Sequence, residues 1–397
     1  MTTVVSRETR RELLIVGASA RAAAFSARRA GFSVYAADLF ADQDLRDCAV
    51  ATVPTKAYPR GLLKALEKLP PLPWLYTGGL ENHDRLIDLL AAKRRLYGNR
   101  GSTLRRIRDP FKLQACLARR GFHFPETLPS DAPLPEVGPW LLKGYRGTGG
   151  HQVAPWQGES PAPNKRRRFY LQQRLDGQPC GAVYIAASGR AVLLGVTRQL
   201  VGCAWCGAPE FHYCGSLGPL ELPPATRDQF QRLGECLADE FALAGVFGVD
   251  VILRQNRDAG SSFAIPWVLE VNPRYPASAE VLDRALNVST VGLHVASCRD
   301  RVLPSLLSDS TRCAGKAILY APRDFVVCQR FAALIAEENR SNSELFCPRV
   351  ADVPVTGSTI RRGWPVLTLL ENGSEPGQIE RRLRDRAAAI YKAMAAL

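Results

Sequence analysis

At 397 residues, 46% hydrophobic and 23% charged, the chain has the make-up of a globular protein with two or three cores. Its apolar runs stay well short of the roughly 20 residues that span a bilayer. A net charge of +14 favours an anionic partner such as a polyphosphate nucleotide, an acidic substrate or nucleic acid.

The N-terminus imitates an export signal, with basic RETRRE, apolar LLIV and small GASA. The apolar run ends after four residues at Gly17, and Arg21, Arg28 and Arg29 follow at once. A strand, a glycine turn and a helix fit better than a leader. Eleven cysteines scattered singly suit a reducing compartment, so a cytoplasmic location is expected. Leu13 to Ser19 reads as a strand, Ala20 to Ala30 as a helix, and the next strand ends at Asp38. A third strand begins at Trp74 and runs into a Gly-Gly turn, before a helix from His83 to about Leu96. This alternation predicts a parallel sheet. Asp38 stands where a dinucleotide fold binds a ribose, but the first turn, Gly17-Ala-Ser-Ala-Arg21, lacks two glycines of GxGxxG. A nicotinamide oxidoreductase would rest on Gly17 and Asp38 alone.

From Arg105 the texture changes. Asp109 is a natural cap for a helix over 110–120 that begins with Pro110 and ends at Gly121. A short strand ends at Lys143 and enters a loop with Gly144, Gly147, Gly149 and Gly150. Residues 155–168 read as a surface loop, and RFYLQQRLDGQPC brings a strand and a turn. Cys203, Cys206, His212 and Cys214 cluster with a spacing irregular for zinc, and read as incidental thiols in a loop. Basic runs around Arg105, Arg167 and Arg384 lack interleaved aromatic platforms, which argues for solvated surface rather than a nucleic-acid interface. From Gly315 a strand, turns and a helix with the stripe Ile379, Leu383, Ala387, Ile390 and Met394 form a small closing unit.

Two apolar strands carry acids in odd places: FGVDVILRQ with Asp250, and VLEVNPR with Glu270, Asn272 and Arg274. A hairpin about Gly260 places Asp250 opposite Glu270, with Asn272 one diagonal step away. Like charges opposed in a sheet repel, and a divalent cation reverses the sign. Hard oxygen ligands without His or Cys suit Mg²⁺, which also seeks phosphates. The plain alternative is an exposed hairpin with surface acids. Lys143 and the glycines after it form an anion-binding loop, although the lysine precedes the glycines and the loop is no Walker motif. Lys112 could add a second positive charge.

This order of parts resembles the ATP-grasp superfamily over roughly residues 10–300. The resemblance rests on Asp109-Pro-Phe-Lys112, on Lys143-Gly-Tyr-Arg-Gly-Thr-Gly-Gly150, and above all on Asp250 with Glu270-Val-Asn272-Pro-Arg274. It implies an α/β architecture. A Rossmann-like pre-grasp domain over 1–104 would help bind the acceptor substrate. A two-lobed ATP-grasp domain over 105–312 and a small C-terminal α+β domain over 313–397 would follow. It implies ATP phosphates held by Lys112, Lys143, Gly147, Gly149 and Gly150, and Mg²⁺ held by Asp250, Glu270 and Asn272. Arg274 and Lys143 would be catalytic, with Arg274 against the transferring phosphoryl group. Adenine would pair with the hinge at Gln173, Arg174 and Leu175. Gly144 replaces the family's usual proline, and Gln173 its usual glutamate. The segments Gly78-Gly-Leu-Glu-Asn82 and Asp352-Val-Pro…Gly357…Gly363-x-Pro365 resemble the branch that includes tyramine–glutamate ligase, tied to one-carbon cofactor metabolism. The implied activity is an ATP- and Mg²⁺-dependent carboxylate–amine ligase acting through an acyl phosphate. The partners are a small-molecule acid and amine, without nucleic acid or membrane; a homodimer is compatible. Biotin-carboxylase-like carboxylation and a non-catalytic nucleotide-binding protein are the alternatives; the chain holds no Met-Lys biotin-carrier segment.

Overall fold

Leu13, Leu14, Ile15 and Val16 are all completely buried, which requires cover on both faces of their strand. Alternate side chains of a strand point to opposite faces, and here Leu13 and Ile15 enter one core while Leu14 and Val16 enter another. The computed structural model describes residues 11–396 apart from 56, 131–132, 134, 136–137, 159–167, 256–263, 306–311 and 341–345. The expected surface loop over 155–168 therefore lies largely outside the described residues, as does the hairpin tip at Gly260.

The N-terminal unit runs β1 (Glu12–Gly17), α1 (Arg21–Arg29), β2 (Ser33–Asp38), α2 (Gln43–Cys48), β3 (Ala51–Pro54), α3 (Leu62–Leu66), β4 (Trp74–Tyr76) and α4 (Asp84–Lys93). The four strands form a parallel sheet in the order β3-β2-β1-β4. The strand at Trp74 is thus the fourth, not the third. The sequence reading passed over β3 because it is four residues long, half-exposed and ends in proline, as edge strands do.

Helices α5 (Gly101–Ile107) and α6 (Pro110–Arg119) lead to β5 (Thr127–Pro129), β6 (Trp140–Gly144), β7 (Val153–Pro155) and β8 (Phe169–Gln173). Asp109 caps α6, its carboxylate accepting from the N–H groups of Phe111 and Lys112. These strands make a small antiparallel sheet, β5-β8-β6-β7. The chain then crosses to a larger sheet through β9 (Gln178–Ala187), β10 (Arg190–Val201) and β11 (Tyr213–Gly218). Helix α7 (Pro224–Phe241), β12 (Gly245–Gln255), β13 (Ala264–Asn272), α8 (Ala279–Leu286) and α9 (Thr290–Asp300) follow. The C-terminal part adds β14 (Cys313–Tyr320), β15 (Phe325–Val326), α10 (Gln329–Arg340), β16 (Val350–Ala351), β17 (Thr359–Ile360), β18 (Pro365–Gly373) and α11 (Pro376–Ala395). The large sheet has the order β13-β12-β9-β10-β11-β14-β18-β16, so C-terminal strands continue it. On α11 the five stripe residues, Ile379 to Met394, are all buried, which anchors that helix to the sheet by its apolar face.

Buried polar links tie the N-terminal unit to the rest, and two of them show how. The guanidinium of Arg21, 1% exposed, is shared between Glu280 of α8 and Asp352, and Lys316 of β14 donates to Glu280 at 2.9 Å. Removing one partner from such a buried network strands the others. His294 of α9 accepts from the Val246 N–H at 2.8 Å and lies 3.1 Å from the Tyr97 carbonyl, within donating distance through its other nitrogen. Burial pushes the His294 pKa down from 6.5 to about 4. The folded protein therefore binds this proton less readily than the unfolded chain, and stability present above pH 6.5 is lost as the pH falls toward 4. At about pH 5 the loss from this residue is about 2 kcal/mol. Thermal unfolding followed from pH 7 to 5 should show this loss in the wild type and a shallower slope in His294→Gln.

Candidate active site

Strands β12 and β13 pair in the expected register, Asp250 against Glu270 and Gly248 against Asn272. Past Asp250 the register shifts, and Val251 faces Val268 rather than Leu269. This bulge reconciles two demands on one short strand. In a regular strand Val268 would share the face of Glu270, but the extra residue re-aims it. Val249, Val251, Val268 and Val271 all join the core under α7, while Asp250, Glu270 and Asn272 gather on the other side.

There Asn272 Nδ2 donates to Asp250 Oδ2 at 2.9 Å and reaches Glu270 Oε1 at 3.4 Å. Asp250 also accepts from Gln199 Nε2 at 2.7 Å. Gln199 belongs to β10 and must reach across β9 to do so. It passes over Gly181, where a Cβ would lie 3.0 Å from Gln199 Nε2 and 3.7 Å from Asp250 Oδ1. A side chain there would crowd that bond. Burial and the charge of Glu270 raise the Asp250 pKa from 3.8 to about 7. For Glu270 burial acts upward too, but Lys143 and Arg108 outweigh it and hold the group below its ordinary value. The pair is two crowded carboxylates with an amide N–H between them, standing where a cation would neutralise both.

Lys143 comes from the small sheet. It is buried, donates from Nζ to Gln172 Oε1 at 2.9 Å and lies 5.9 Å from the centre of the Tyr170 ring. Burial opposes its charge, yet Tyr170, Glu270 and Asp250 prevail and hold its pKa above the ordinary value. Lys143 thus faces the carboxylates across the cleft between the two sheets. Arg274, just past β13, donates from Nη2 to Asn272 Oδ1 at 3.1 Å and from Nε to Glu81 Oε1 at 3.0 Å. The N-terminal unit therefore supplies a third wall.

The glycine loop lies folded over this cleft. Arg108 donates to the Gly147 carbonyl at 3.1 Å and to Asn82 Oδ1 at 2.7 Å, while Asn82 Nδ2 donates to Thr148 Oγ1 at 2.7 Å. At its tip the Tyr213 N–H donates to the Gly149 carbonyl at 3.2 Å, and the His151 and His212 rings meet at 4.2 Å. Gly150 has φ +85°, and a Cβ there would lie 1.9 Å from the Phe211 carbonyl oxygen. Only glycine fits that contact.

The structure therefore gathers Lys143, Asp250, Glu270, Asn272 and Arg274, with Gly147, Gly149 and Gly150 above them. It does not bring Lys112 in: that side chain is exposed on the first turn of α6 and pairs with Asp109 at 3.7 Å. Gln172, not Gln173, faces Lys143, because neighbouring residues of a strand point opposite ways. At the hinge, the Gln173 N–H donates to the Glu126 carbonyl at 2.8 Å and the Arg174 N–H to the Pro139 carbonyl, so neither amide is free for a base. Leu175 follows directly, half-buried. Asp38 spends both oxygens on the N–H groups of Ala20, Phe40 and Ala41, which leaves no carboxylate for a ribose. Cys206 and Cys214 are buried in the C-terminal core beside Cys203. Among the described residues no group of three or more His, Cys, Asp or Glu could hold a metal. No described helix is long and apolar enough to cross a membrane. Arg108 and Gln199 are site residues that sequence reasoning missed. Arg108 had a signal, an arginine directly before the Asp109 cap; Gln199 had none, because its partner lies two strands away.

No curated protein matches the chain in sequence. Residues 107–278 match the ATP-grasp domain family. The structure is similar to the biotin carboxylase of Campylobacter jejuni, solved as a βγ-ATP complex, with a TM-score of 0.68 and 13% identity over 93% of this chain and 89% of that one. It is similar to the L-amino acid ligase of Bacillus licheniformis, with a TM-score of 0.67 and 15% identity over 95% and 97%. The N5-carboxyaminoimidazole synthetase of Staphylococcus aureus, solved with ADP, gives 0.65 and 13% over 95% and 97%. The chain therefore has the ATP-grasp fold, with its match to the ATP-grasp domain family confined to residues 107–278.

Proposed function

We propose that the protein is an ATP- and Mg²⁺-dependent carboxylate–amine ligase that forms an amide through an acyl phosphate. The observation that carries this reading is the hydrogen-bonded Asp250–Asn272–Glu270 group with Arg274 on Asn272, and the buried Lys143 in the field of both acids. Asp250, Glu270 and Asn272 would hold Mg²⁺, a hard cation suited to this oxygen set. When bound, the metal neutralises charge on the phosphates. Lys143 would hold the nucleotide phosphates, and the Gly147–Gly150 backbone would cover them and exclude water. The Arg174 carbonyl and the Leu175 N–H are the hinge groups offered to the base. A substrate carboxylate oxygen attacks the γ-phosphorus, and Arg274 stabilises the charge on the transferring group. An amine then displaces phosphate from the acyl carbon. Positioning and electrostatics suffice, as in other phosphoryl transfers. The Gly78–Asn82 and Asp352–Pro365 segments support a place in one-carbon-carrier biosynthesis.

The likeness to a biotin carboxylase and a carboxyaminoimidazole synthetase favours a second reading, in which bicarbonate is the acid that is phosphorylated. Replacing organic acids by bicarbonate in the same assay separates the two.

Mg-ATP should raise the melting temperature, since a ligand that binds only the folded state stabilises it by mass action. NADH should leave it unchanged. An equal shift with NADH, or none with Mg-ATP, would count against a nucleotide-triphosphate site.

A further inference from the structure

In the parallel sheet, β2 and β3 lie on one side of β1 and β4 on the other. The carboxyl ends of β1 and β4 thus mark a topological switch point, where open α/β sheets leave a crevice for ligands. Two turns and one side chain build it here. The Ala18 N–H after β1 donates to the Gly78 carbonyl after β4 at 3.2 Å. The Tyr58 hydroxyl stands over the second glycine, 3.3 Å from the position a Cβ on Gly79 would take.

Glu81 sits in the short 3-10 turn, Leu80–Asn82, that follows these glycines, and is 3% exposed. Its Oε1 is taken by Arg274. Its Oε2 is buried with no hydrogen-bond partner among the described residues, and the same holds for the Tyr58 hydroxyl oxygen. Burial and the negative charges of Glu81 and Asp38 raise the Tyr58 pKa, which places the hydroxyl in their field. Leaving a carboxylate oxygen buried and unpaired is costly. A ligand that donates hydrogen bonds and carries positive charge removes that cost. Arg274 leaves this oxygen unpaired, since the three bonds it makes go to Glu81 Oε1, Asn272 and the Tyr275 carbonyl.

We infer that this crevice binds the ammonium group of the acceptor amine, with Glu81 Oε2 as its principal acceptor and Tyr58 beside it, and that Glu81 removes the proton that must leave before attack. The inference rests on the ligase reading above. Arg274 spans from Glu81 to Asn272, so the amine is held on the opposite side of Arg274 from the metal-binding carboxylates. In the reaction the ammonium loses one proton to Glu81, and the freed lone pair forms the C–N bond to the acyl phosphate carbon. The C–O bond to phosphate then breaks, and a second nitrogen proton leaves with the phosphate. One acyl phosphate and one ammonium give one amide, one hydrogen phosphate and one proton passed from Glu81 to solvent. The class of acceptor is a primary amine that is protonated at neutral pH. Asp38 and Glu81 together disfavour one with a carboxylate next to the nitrogen.

Calorimetric titration of the full chain in Mg-ADP tests this with a panel of primary alkyl- and arylalkylamines, each against the alcohol of the same skeleton. At least one amine should bind the wild type at least about tenfold more tightly than its alcohol. Glu81→Gln should weaken that amine by at least about tenfold. Tyr58→Phe, which leaves the Arg274 contacts alone, should weaken it by a smaller factor and keep wild-type affinity for Mg-ATP. In turnover, Glu81→Gln should slow an alkylamine more than hydroxylamine, which enters unprotonated. Equal binding of amines and alcohols, or wild-type amine affinity in both variants, overturns the inference while Mg-ATP binding leaves the ligase reading standing. Failure of the wild type to bind Mg-ATP sinks that reading, and this inference with it.

Discussion

Asp250→Asn and Glu270→Gln should each lower Mg²⁺-dependent turnover by about 10²–10³, the scale of losing one preorganised electrostatic contact. The double variant should be little worse than the worse single one, because residues that share one ion act as a unit. Stability should move the other way. In the metal-free protein Asp250 is raised from 3.8 to about 7 by burial and by Glu270. Between those values the folded state binds more proton than the unfolded one, so this group's contribution becomes less favourable as pH rises. Asp250→Asn removes that penalty and should melt higher than wild type in EDTA at pH 8. Magnesium and the proton compete for the same carboxylates, so Mg²⁺ should stabilise the wild type more at pH 8 than at pH 6. Activity against Mg²⁺ concentration for the four proteins, with melting curves in EDTA, checks both halves. Additive losses, or active variants with unchanged Mg²⁺ dependence, would leave the hairpin as a surface feature.

Lys143 and Arg274 should separate binding from chemistry. Lys143→Ala should weaken Mg-ATP by about 10- to 100-fold, the worth of one charge-assisted hydrogen bond. It also leaves Gln172 Oε1 buried without its donor, so the melting temperature should fall. Arg274→Ala should leave nucleotide affinity close to wild type and lower turnover by about 10²-fold or more. It also strands Glu81, whose side chain is 1% exposed, at a cost of about 3–5 kcal/mol for a broken buried pair. Arg274→Lys is therefore the better probe. It keeps a positive charge beside Glu81 but loses the planar fork, so it should fold and still turn over slowly. Titration calorimetry with Mg-ATP and steady-state kinetics on the same samples give the two numbers. If Arg274→Lys keeps full turnover, the arginine is a strut between Glu81 and Asn272, not a group that meets the phosphoryl.

The part of the site that lies on one hairpin was legible in the sequence. Two apolar strands around a turn have a register set by their midpoint, and Asp250, Glu270 and Asn272 followed from it. The bulge at Leu269 was not legible, because it answers the demands of α7, packed on the other face. Contacts between distant strands were also hidden. Gln199 reaches Asp250 only because β9 lies between them with Gly181 at the crossing. Arg108 and Asn82 grip the glycine loop from two different elements. Family spacing suggested Lys112, yet its position on an exposed helical turn gives it Asp109 as a partner instead. The first strand was easy to read because burial on both faces leaves an unbroken apolar run. By contrast β3 was lost, since a short edge strand needs few apolar residues.

The fate of the substrate carboxylate oxygens tests the ligase reading most directly. A panel of ¹⁸O-labelled carboxylic acids is incubated with Mg-ATP, an amine mixture and the protein, and released phosphate is analysed by mass spectrometry. An acyl phosphate requires one labelled oxygen to move from the acid to the phosphate for each amide formed. Phosphate carrying that label, appearing with ADP and a condensed product, is the predicted result. ADP release in which phosphate takes its oxygen from water alone, with every labelled acid recovered intact, would contradict it.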